Sequence, residues 1–372
     1  MSRLKVVSLF SGLGGIDYGL EAAGFKTVFA TDFDIDCCTT IATNRDWHVE
    51  CADIHDVTSN EIFEFGGLDE GECSLLVGGP PCQPFSKSGF GSETQPKGLK
   101  DKRSNTIAEF FRIAAELEPR VFMIENVPQF ASDVQVQRYL ARKTAELNLI
   151  TRSKYKLNFI KLNCADYGIP QLRRRVFIVA SRDGSTFNAP LSTHAESAIP
   201  RLGIKKHKST WDALSRISIS KQEKELLRVG GRWGELLDSI PAGENYLWHT
   251  RRGGGRPIFK WRSRFWHFLL KLHPEQPSWT IPARPGAHTG PFHWDNRRLA
   301  VDELAALQTL PKEIKIYGSI TSAKKQIGNA VPSAIAELLG HEIRRQLLDS
   351  KSRMRTAMVP TRATKRLPSV EL

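Results

Sequence analysis

Three features of this sequence predict an α/β fold in which short strands alternate with helices. The chain opens with an apolar run, a glycine-rich turn and a helix-period segment: Lys5–Phe10, Ser11–Gly15 and Ile16–Ala23. Apolar runs of strand length recur at Thr27–Ala30, Cys73–Val77, Val121–Ile124 and Leu157–Leu162. Most of these runs end in glycines or an acid, the pattern of a sheet whose carboxyl edge carries a site.

Composition narrows the function classes. A chain of 372 residues, 40% hydrophobic and 25% charged, is long enough for two domains with a sizeable core. It holds no apolar run long enough for a membrane span and no secretory signal, so a cytoplasmic protein away from membranes is expected. Six irregularly spaced cysteines fit reduced thiols rather than a disulfide framework. Neither Cys-x-x-Cys nor His-Glu-x-x-His occurs, so no metal is expected. The formal net charge of +13 points to a polyanion, nucleic acid above all, although charge also serves solubility.

In chain order, the first unit places Phe10, Gly12, Gly14 and Gly15 where a cofactor can approach a helix N-terminus. Asp17 stands where a full dinucleotide-binding pattern has its third glycine, so the turn alone is a weak signal. Asp32, about 20 residues on, has the spacing of a ribose-binding acid, or else caps a helix. Phe33 offers a ring to an adenine. Asp53, before Ile54, either accepts from an adenine amino group or forms a turn.

Val77-Gly78-Gly79-Pro80-Pro81-Cys82-Gln83-Pro84-Phe85-Ser86 follows the next strand. Glycines break the strand and prolines stiffen the loop, so Cys82 is either a nucleophile on a rigid loop or a buried structural thiol. Lys87–Arg103 is too long for an ordinary connection, and its glycines and cations suggest a lid closing over phosphates. After Val121–Ile124 comes Glu125, which either donates a proton or is an ordinary surface acid. Gln171-Leu172-Arg173-Arg174-Arg175 opens the second strand of a hairpin. Alternation sends Arg173 and Arg175 to one face and Arg174 to the other.

Beyond Ser181 the pattern dissolves. Residues 185–280 hold 16 Lys/Arg against 8 Asp/Glu and six tryptophans, which suits a separate basic domain with the indoles mainly in its core. Arg251-Arg252-Gly253-Gly254-Gly255-Arg256 resembles a mobile basic loop that tracks phosphates or reaches guanine edges. A helix over Val301–Leu310, the segment Gln326–Pro332 and a last helix over about 333–348 follow, then a basic tail expected to be disordered.

Taken together, the ordered motifs resemble those of the DNA cytosine-5 methyltransferases of bacteria and phages. Phe10–Gly15, Asp32-Phe33, Asp53-Ile54, Pro80-Pro81-Cys82-Gln83, Glu125-Asn126-Val127, Gln171-x-Arg173-x-Arg175, Arg298 to Gln308 and Gln326–Pro332 carry the resemblance. It covers about 1–182 and 290–345. Ser8 stands where the family often has an acid, Asp32 where Glu is common and Ala52 where Gly is usual.

The resemblance implies a Rossmann-like S-adenosylmethionine-dependent methyltransferase fold: a mixed, mostly parallel sheet with helices on both faces, plus a smaller target-recognition domain. Expected boundaries are 1–184 for the catalytic part, 185–285 for recognition, 286–348 for the hinge and return, and 349–372 for the tail. S-adenosyl-L-methionine, leaving as S-adenosyl-L-homocysteine, would be held by Phe10, Gly12, Gly14, Gly15, Asp32, Phe33, Asp53, Ile54, Pro80 and Asn329. Cys82 would be the nucleophile and Glu125 the acid, with Arg173 and Arg175 holding the base. Gln83, Ser86, Arg103, Arg251 and Arg252 would touch double-stranded DNA. A monomer, with a restriction endonuclease as functional partner, completes the expectation. Two rivals remain at this point: the same fold acting on RNA, disfavoured by the large basic insertion, and a catalytically silent DNA-binding regulator.

Overall fold

The computed structural model of the chain describes residues 4–81, 105–262 and 265–349. Its first half alternates as expected: β1 (Leu4–Leu9), α1 (Gly15–Ala22), β2 (Phe25–Asp32), α2 (Ile35–Asn44), β3 (His48–Cys51), α3 (Ser59–Gly66), β4 (Leu75–Gly78) and α4 (Asn105–Leu117). There follow β5 (Val121–Asn126), α5 (Pro128–Ser132), α6 (Val134–Thr151), β6 (Asn158–Asn163), β7 (Gln171–Leu172) and β8 (Arg174–Ser181).

Seven strands make one sheet in the order β3-β2-β1-β4-β5-β8-β6. The pairings from β3 through β5 are parallel, and β8 runs antiparallel to both its neighbours. The order turns back between β1 and β4, and it is at such a point that α/β sheets open a crevice outside their carboxyl ends.

Both faces are covered, because successive strand residues alternate between them. Val7, Leu76 and Phe122 pack with Ile62 of α3, Phe110 of α4 and Leu140 of α6. Val6, Leu75 and Met123 face the other way, toward Leu20 of α1 and toward Ile335 and Leu339 near the C-terminus.

The second half contributes β9 (His194–Ala195), β10 (Lys205–Lys206), α7 (Thr210–Leu214), α8 (Lys221–Leu226), β11 (Ser278–Trp279), α9 (Val301–Leu307), α10 (Ile320–Asn329) and α11 (Ser333–Ile343). Gln326–Asn329, for which the sequence gives no helical signal, close α10. The polar run Thr321–Gln326 hides its period, yet Ala323 and Ile327 are buried.

α11 returns to lie against α1, where a Cβ on Gly19 would stand 2.1 Å from the Ser333 carbonyl oxygen. Gly19→Ala must therefore push the two helices apart. We expect a loss of about 1–3 kcal/mol in denaturant unfolding, the usual cost of overpacking.

A small apolar cluster joins Leu237, Ile240, Tyr246 and Leu269 of the basic stretch to Phe292 beyond it. Lys271 is buried there. Its ammonium donates to the carbonyls of Leu237 at 3.1 Å and Ile240 at 2.6 Å, and to Asn296 Oδ1 at 2.6 Å.

The indoles do not all follow the expectation of a core. Trp233 and Trp248 join the cluster, whereas Trp211, Trp261 and Trp266 are exposed. A unit built of such short segments has too little interior to enclose six large rings. The loop at Arg251–Arg256 also differs from a merely flexible one. Cβ atoms on Gly253, Gly254 and Gly255 would stand 2.2 to 2.7 Å from Trp248 atoms, so the run is glycine because its backbone wraps that residue.

α9 is fixed by a buried ion pair that the sequence does not reveal. Arg297 donates to Glu303 through Nη1 at 2.7 Å and Nη2 at 2.8 Å, and the Ala300 amide donates to the same carboxylate at 2.9 Å. Burial raises the Glu303 pKa, but these donors outweigh it and the net shift is downward. A depressed carboxylate stabilises the fold above its ordinary range and loses that contribution as pH falls through the folded value. Arg297→Met leaves the buried carboxylate without its guanidinium, with only the Ala300 amide and the His293 ring 3.7 Å away beside it. We expect about 3–5 kcal/mol of destabilisation at neutral pH, shrinking in melts as pH falls from the ordinary Glu range through the lower folded value.

Candidate active site

The glycine turn after β1 is bent by three residues with left-handed φ: Phe10 at 55°, Gly12 at 55° and Gly14 at 89°. Phe10 is the strained one, since a side chain at such φ costs roughly 1–2 kcal/mol. The turn closes on the end of β2: the Gly12 amide donates to Asp32 Oδ2 at 2.8 Å, and the Asp34 amide to Asp32 Oδ1 at 2.9 Å. The helix-capping alternative for Asp32 falls to Asp34 instead, whose carboxylate accepts from the Asp36 amide at the start of α2. Burial raises the Asp32 pKa, partly offset by the two amides. Phe33, next in the chain, is 70% exposed at the same edge.

Past β3, Asp53 Oδ1 accepts from the His55 amide at 3.1 Å and pairs with His55 Nδ1 at 2.6 Å, so the acid does form a local turn. Its carboxylate remains largely exposed, and the His55 contact holds its pKa below the usual range. Ile54 is buried in the core.

Two more strand ends complete the edge. β5 runs two residues further than its apolar run suggests, so Glu125 and Asn126 are strand residues. Asn126 is buried and donates through Nδ2 to the Pro80 carbonyl at 3.1 Å, while its Oδ1 accepts from the Val127 amide at 2.9 Å. It thus ties the end of β5 to the proline loop that follows β4. Glu125 Oε1 pairs with Arg175 Nε at 2.8 Å, both side chains largely buried. Its Oε2 faces the other way, 3.3 Å from where a Cβ on Gly79 would stand. The carboxylate therefore lies between the arginine strand and the backbone leading to Cys82. Cys82, Gln83, Ser86, Arg103 and the expected lid Lys87–Arg103 lie outside the described residues, as does the tail from Ser350.

The arginines keep the predicted alternation, with Arg174 exposed, Arg173 fully buried and Arg175 largely buried, but they serve different partners. Arg173 donates through Nη2 to the Gly328 carbonyl at 3.0 Å, and its Nε and Nη1 have no partner among the described residues. Burial lowers its pKa to about 9, and the charge of Arg175 adds to the effect. Gln171 and Gln308 form a second buried link. Gln171 donates to Gln308 Oε1 at 3.0 Å, and Gln308 in turn donates to the carbonyls of Ile327 at 2.6 Å and Ala330 at 3.2 Å. Arg173 and Gln308 together donate to the carbonyls that end α10, those of Gly328, Ile327 and Ala330. Asn329, the last residue of α10, is exposed beside them.

α10 is also strapped to α2, through Lys325 with Asp34 at 2.5 Å and Thr40 with Gln326 at 2.8 Å. Sequence reading gave no role to Asn126, Gln171, Gln308 or Lys325, although the first three sit inside the quoted motifs. Arg251 and Arg252 are exposed, and the Arg252 guanidinium lies 4.9 Å over the Trp261 ring. Among the described residues no His/Cys/Asp/Glu group could hold a metal ion, and no helix is long and apolar enough to cross a membrane.

Comparison with known proteins gives this geometry a family. The model of the C-5 cytosine-specific DNA methylases matches residues 4–345. The Type II methyltransferase M.SacI of Streptomyces achromogenes is 37% identical over 94% of this chain and 95% of its own. M.NgoFVII of Neisseria gonorrhoeae, also a Type II methyltransferase, is 32% identical over 89% of this chain and 84% of its own. Among solved structures, one described as a DNA modification methyltransferase encoded within an E. coli prophage superposes with a TM-score of 0.63 at 22% identity, covering 93% of this chain and 99% of that one. The Entamoeba histolytica methyltransferase EhMeth shares the fold at the same TM-score and 15% identity, over 92% of this chain and 98% of its own. The chain belongs to the C-5 cytosine-specific DNA methylase family, enzymes that methylate cytosine in DNA.

Proposed function

We propose that the enzyme methylates carbon 5 of a cytosine flipped out of a specific duplex DNA sequence, through a covalent bond between Cys82 and carbon 6. The observation that carries this is the Glu125 carboxylate, clamped by Arg175 and facing Gly79 at the root of the Cys82 loop.

Carbon 5 of cytosine is a poor nucleophile until something adds to carbon 6. In the proposed path the Cys82 sulfur bonds to carbon 6, and the ring electrons move toward carbon 5 and nitrogen 3. Glu125 acts as the general acid, giving a proton to nitrogen 3 so that the negative charge developing on the ring passes to its carboxylate. Arg175 fixes one carboxyl oxygen so that the other is presented to the base. Arg173 holds the end of α10, and its unpartnered Nε and Nη1 suit an acceptor on the substrate. After methylation a base from solvent takes the carbon 5 proton, the freed C–H electron pair reforms the carbon 5–carbon 6 double bond as the Cys82 sulfur leaves as thiolate, and nitrogen 3 returns its proton to Glu125.

S-adenosyl-L-methionine supplies the methyl on a sulfonium and leaves as S-adenosyl-L-homocysteine. The residues fit it. A Cβ on Gly12 would meet nothing within 4 Å, so the loop borders open space beside the Asp32 carboxylate, and Phe33 offers an uncovered ring. Phe10, Gly14 and Gly15 shape that loop, and Asp53, Ile54, Pro80 and Asn329 complete the proposed site.

A base inside a stacked duplex is out of reach, and flipping it costs a few kcal/mol. The cation-rich 185–285 region, including Arg251 and Arg252, and the Lys87–Arg103 segment with Gln83, Ser86 and Arg103 are the proposed sources of compensating contacts. The proposal includes a cytoplasmic monomer, and the likeness to Type II methyltransferases supports a restriction endonuclease as its functional partner.

The test is transfer of labelled methyl from S-adenosyl-L-methionine to duplex DNA and to tRNA in parallel. Label is expected in DNA alone, recovered as 5-methylcytosine after digestion. Label in tRNA alone contradicts the substrate, and label in neither contradicts the activity.

A further inference from the structure

Asp17 is wholly buried, in the first turn of α1, and has no cation in contact among the described residues. Its Oδ2 accepts from the Ser8 hydroxyl of β1 at 3.0 Å and its Oδ1 from the Thr27 hydroxyl of β2 at 3.1 Å. The Ser8 hydroxyl oxygen in turn receives the Ser11 hydroxyl of the glycine turn at 2.9 Å. One carboxylate therefore gathers two strands, a helix and the turn between them.

Burying a carboxylate without a cation is costly, and it persists only where hydrogen bonds and the positive end of a helix compensate. Burial accordingly raises the Asp17 pKa to about 7, against the pull of Ser8 and Thr27. A position needed only for packing would be filled more cheaply by an apolar residue. What adjoins it is the sharply bent turn of the site, where Gly12 and Gly14 take left-handed φ freely and Phe10 takes it under strain. The Ser11 amide donates to the Thr31 carbonyl at 3.0 Å, which sets the turn against β2 beside Asp32. Strain of this kind survives only when surrounding contacts over-determine it.

We propose that Asp17 is a positioning residue for the cofactor turn, acting through the Ser8 and Ser11 hydroxyls to hold the conformation in which the Gly12 amide meets Asp32. The inference rests on the reading of that turn as the S-adenosylmethionine site.

The decisive variants are Asp17→Ser and the reversal Ser8→Asp/Asp17→Ser, which again places one carboxylate and one hydroxyl in contact. Asp17→Ser is expected to weaken S-adenosyl-L-homocysteine binding, measured by calorimetry, and to raise KM for S-adenosyl-L-methionine by about tenfold, which is 1.4 kcal/mol. kcat at saturating cofactor and KM for DNA should stay within about twofold, and the reversal should recover most of the affinity. If Asp17→Ser does not fold, Asp17→Asn, which keeps the size, is measured in its place and should weaken binding in the same direction. Unchanged cofactor affinity in a folded variant, or equal losses in kcat and in DNA affinity, overturns the proposal. Wild-type protein that binds no S-adenosyl compound would instead fail the reading of the site, so the two failures are distinct.

Discussion

Cys82→Ser is expected to lower turnover by at least about a thousandfold, roughly 4 kcal/mol of barrier, while leaving duplex DNA binding measurable. The reason lies in the attacking atom. A free thiol near pKa 8.5 is already a few per cent thiolate at neutral pH and is intrinsically very nucleophilic, whereas a serine hydroxyl is not ionised there. The substitution removes one sulfur and little volume, so the fold and the phosphate contacts should survive it. Single-turnover methylation beside a DNA-binding isotherm separates the effects. Normal turnover in the serine variant would refute covalent catalysis at this residue.

Glu125→Gln should cost about a hundred- to ten-thousandfold in kcat, the usual range for removing a general acid. The amide keeps the shape of the side chain but cannot deliver a proton to nitrogen 3. Arg175→Ala should fall in the same range by another route, because it removes the guanidinium 2.8 Å from Oε1 and leaves the carboxylate unoriented. Since the two act as a unit, the double variant should cost little more than the worse single one. Additive losses would mean that Arg175 works independently of Glu125. The pair is assayed under saturating DNA and cofactor, so that the loss reads on kcat.

Much of this edge was legible in the sequence because its signals are local. Apolar runs ending in glycine or an acid mark strand ends, and two-residue alternation suffices to separate Arg174 from Arg173 and Arg175. The clamp between Gln171 and Gln308 is a different matter, since its partners lie 137 residues apart. Arg173 finds the Gly328 carbonyl across 155 residues, and Lys325 finds Asp34 across 291. No periodicity encodes such pairings; the sheet order and the return of the C-terminal helices create them. Asp17 was misleading for a related reason. At the sequence level it is a missing glycine, and only folding brings Ser8 and Thr27 onto its two oxygens. The tryptophans show the limit of composition, which cannot tell how much interior a set of short segments encloses.

The central claim is that the Cys82 sulfur bonds to carbon 6 of the target cytosine. The most direct test places 5-fluorocytosine at the target position in duplex DNA and incubates it with enzyme and S-adenosyl-L-methionine. Fluorine at carbon 5 cannot leave as a proton, so the adduct should persist through denaturing electrophoresis, with the DNA mapped to Cys82 by peptide mass spectrometry. An active preparation that forms no such adduct, or forms it at another residue, would contradict the account.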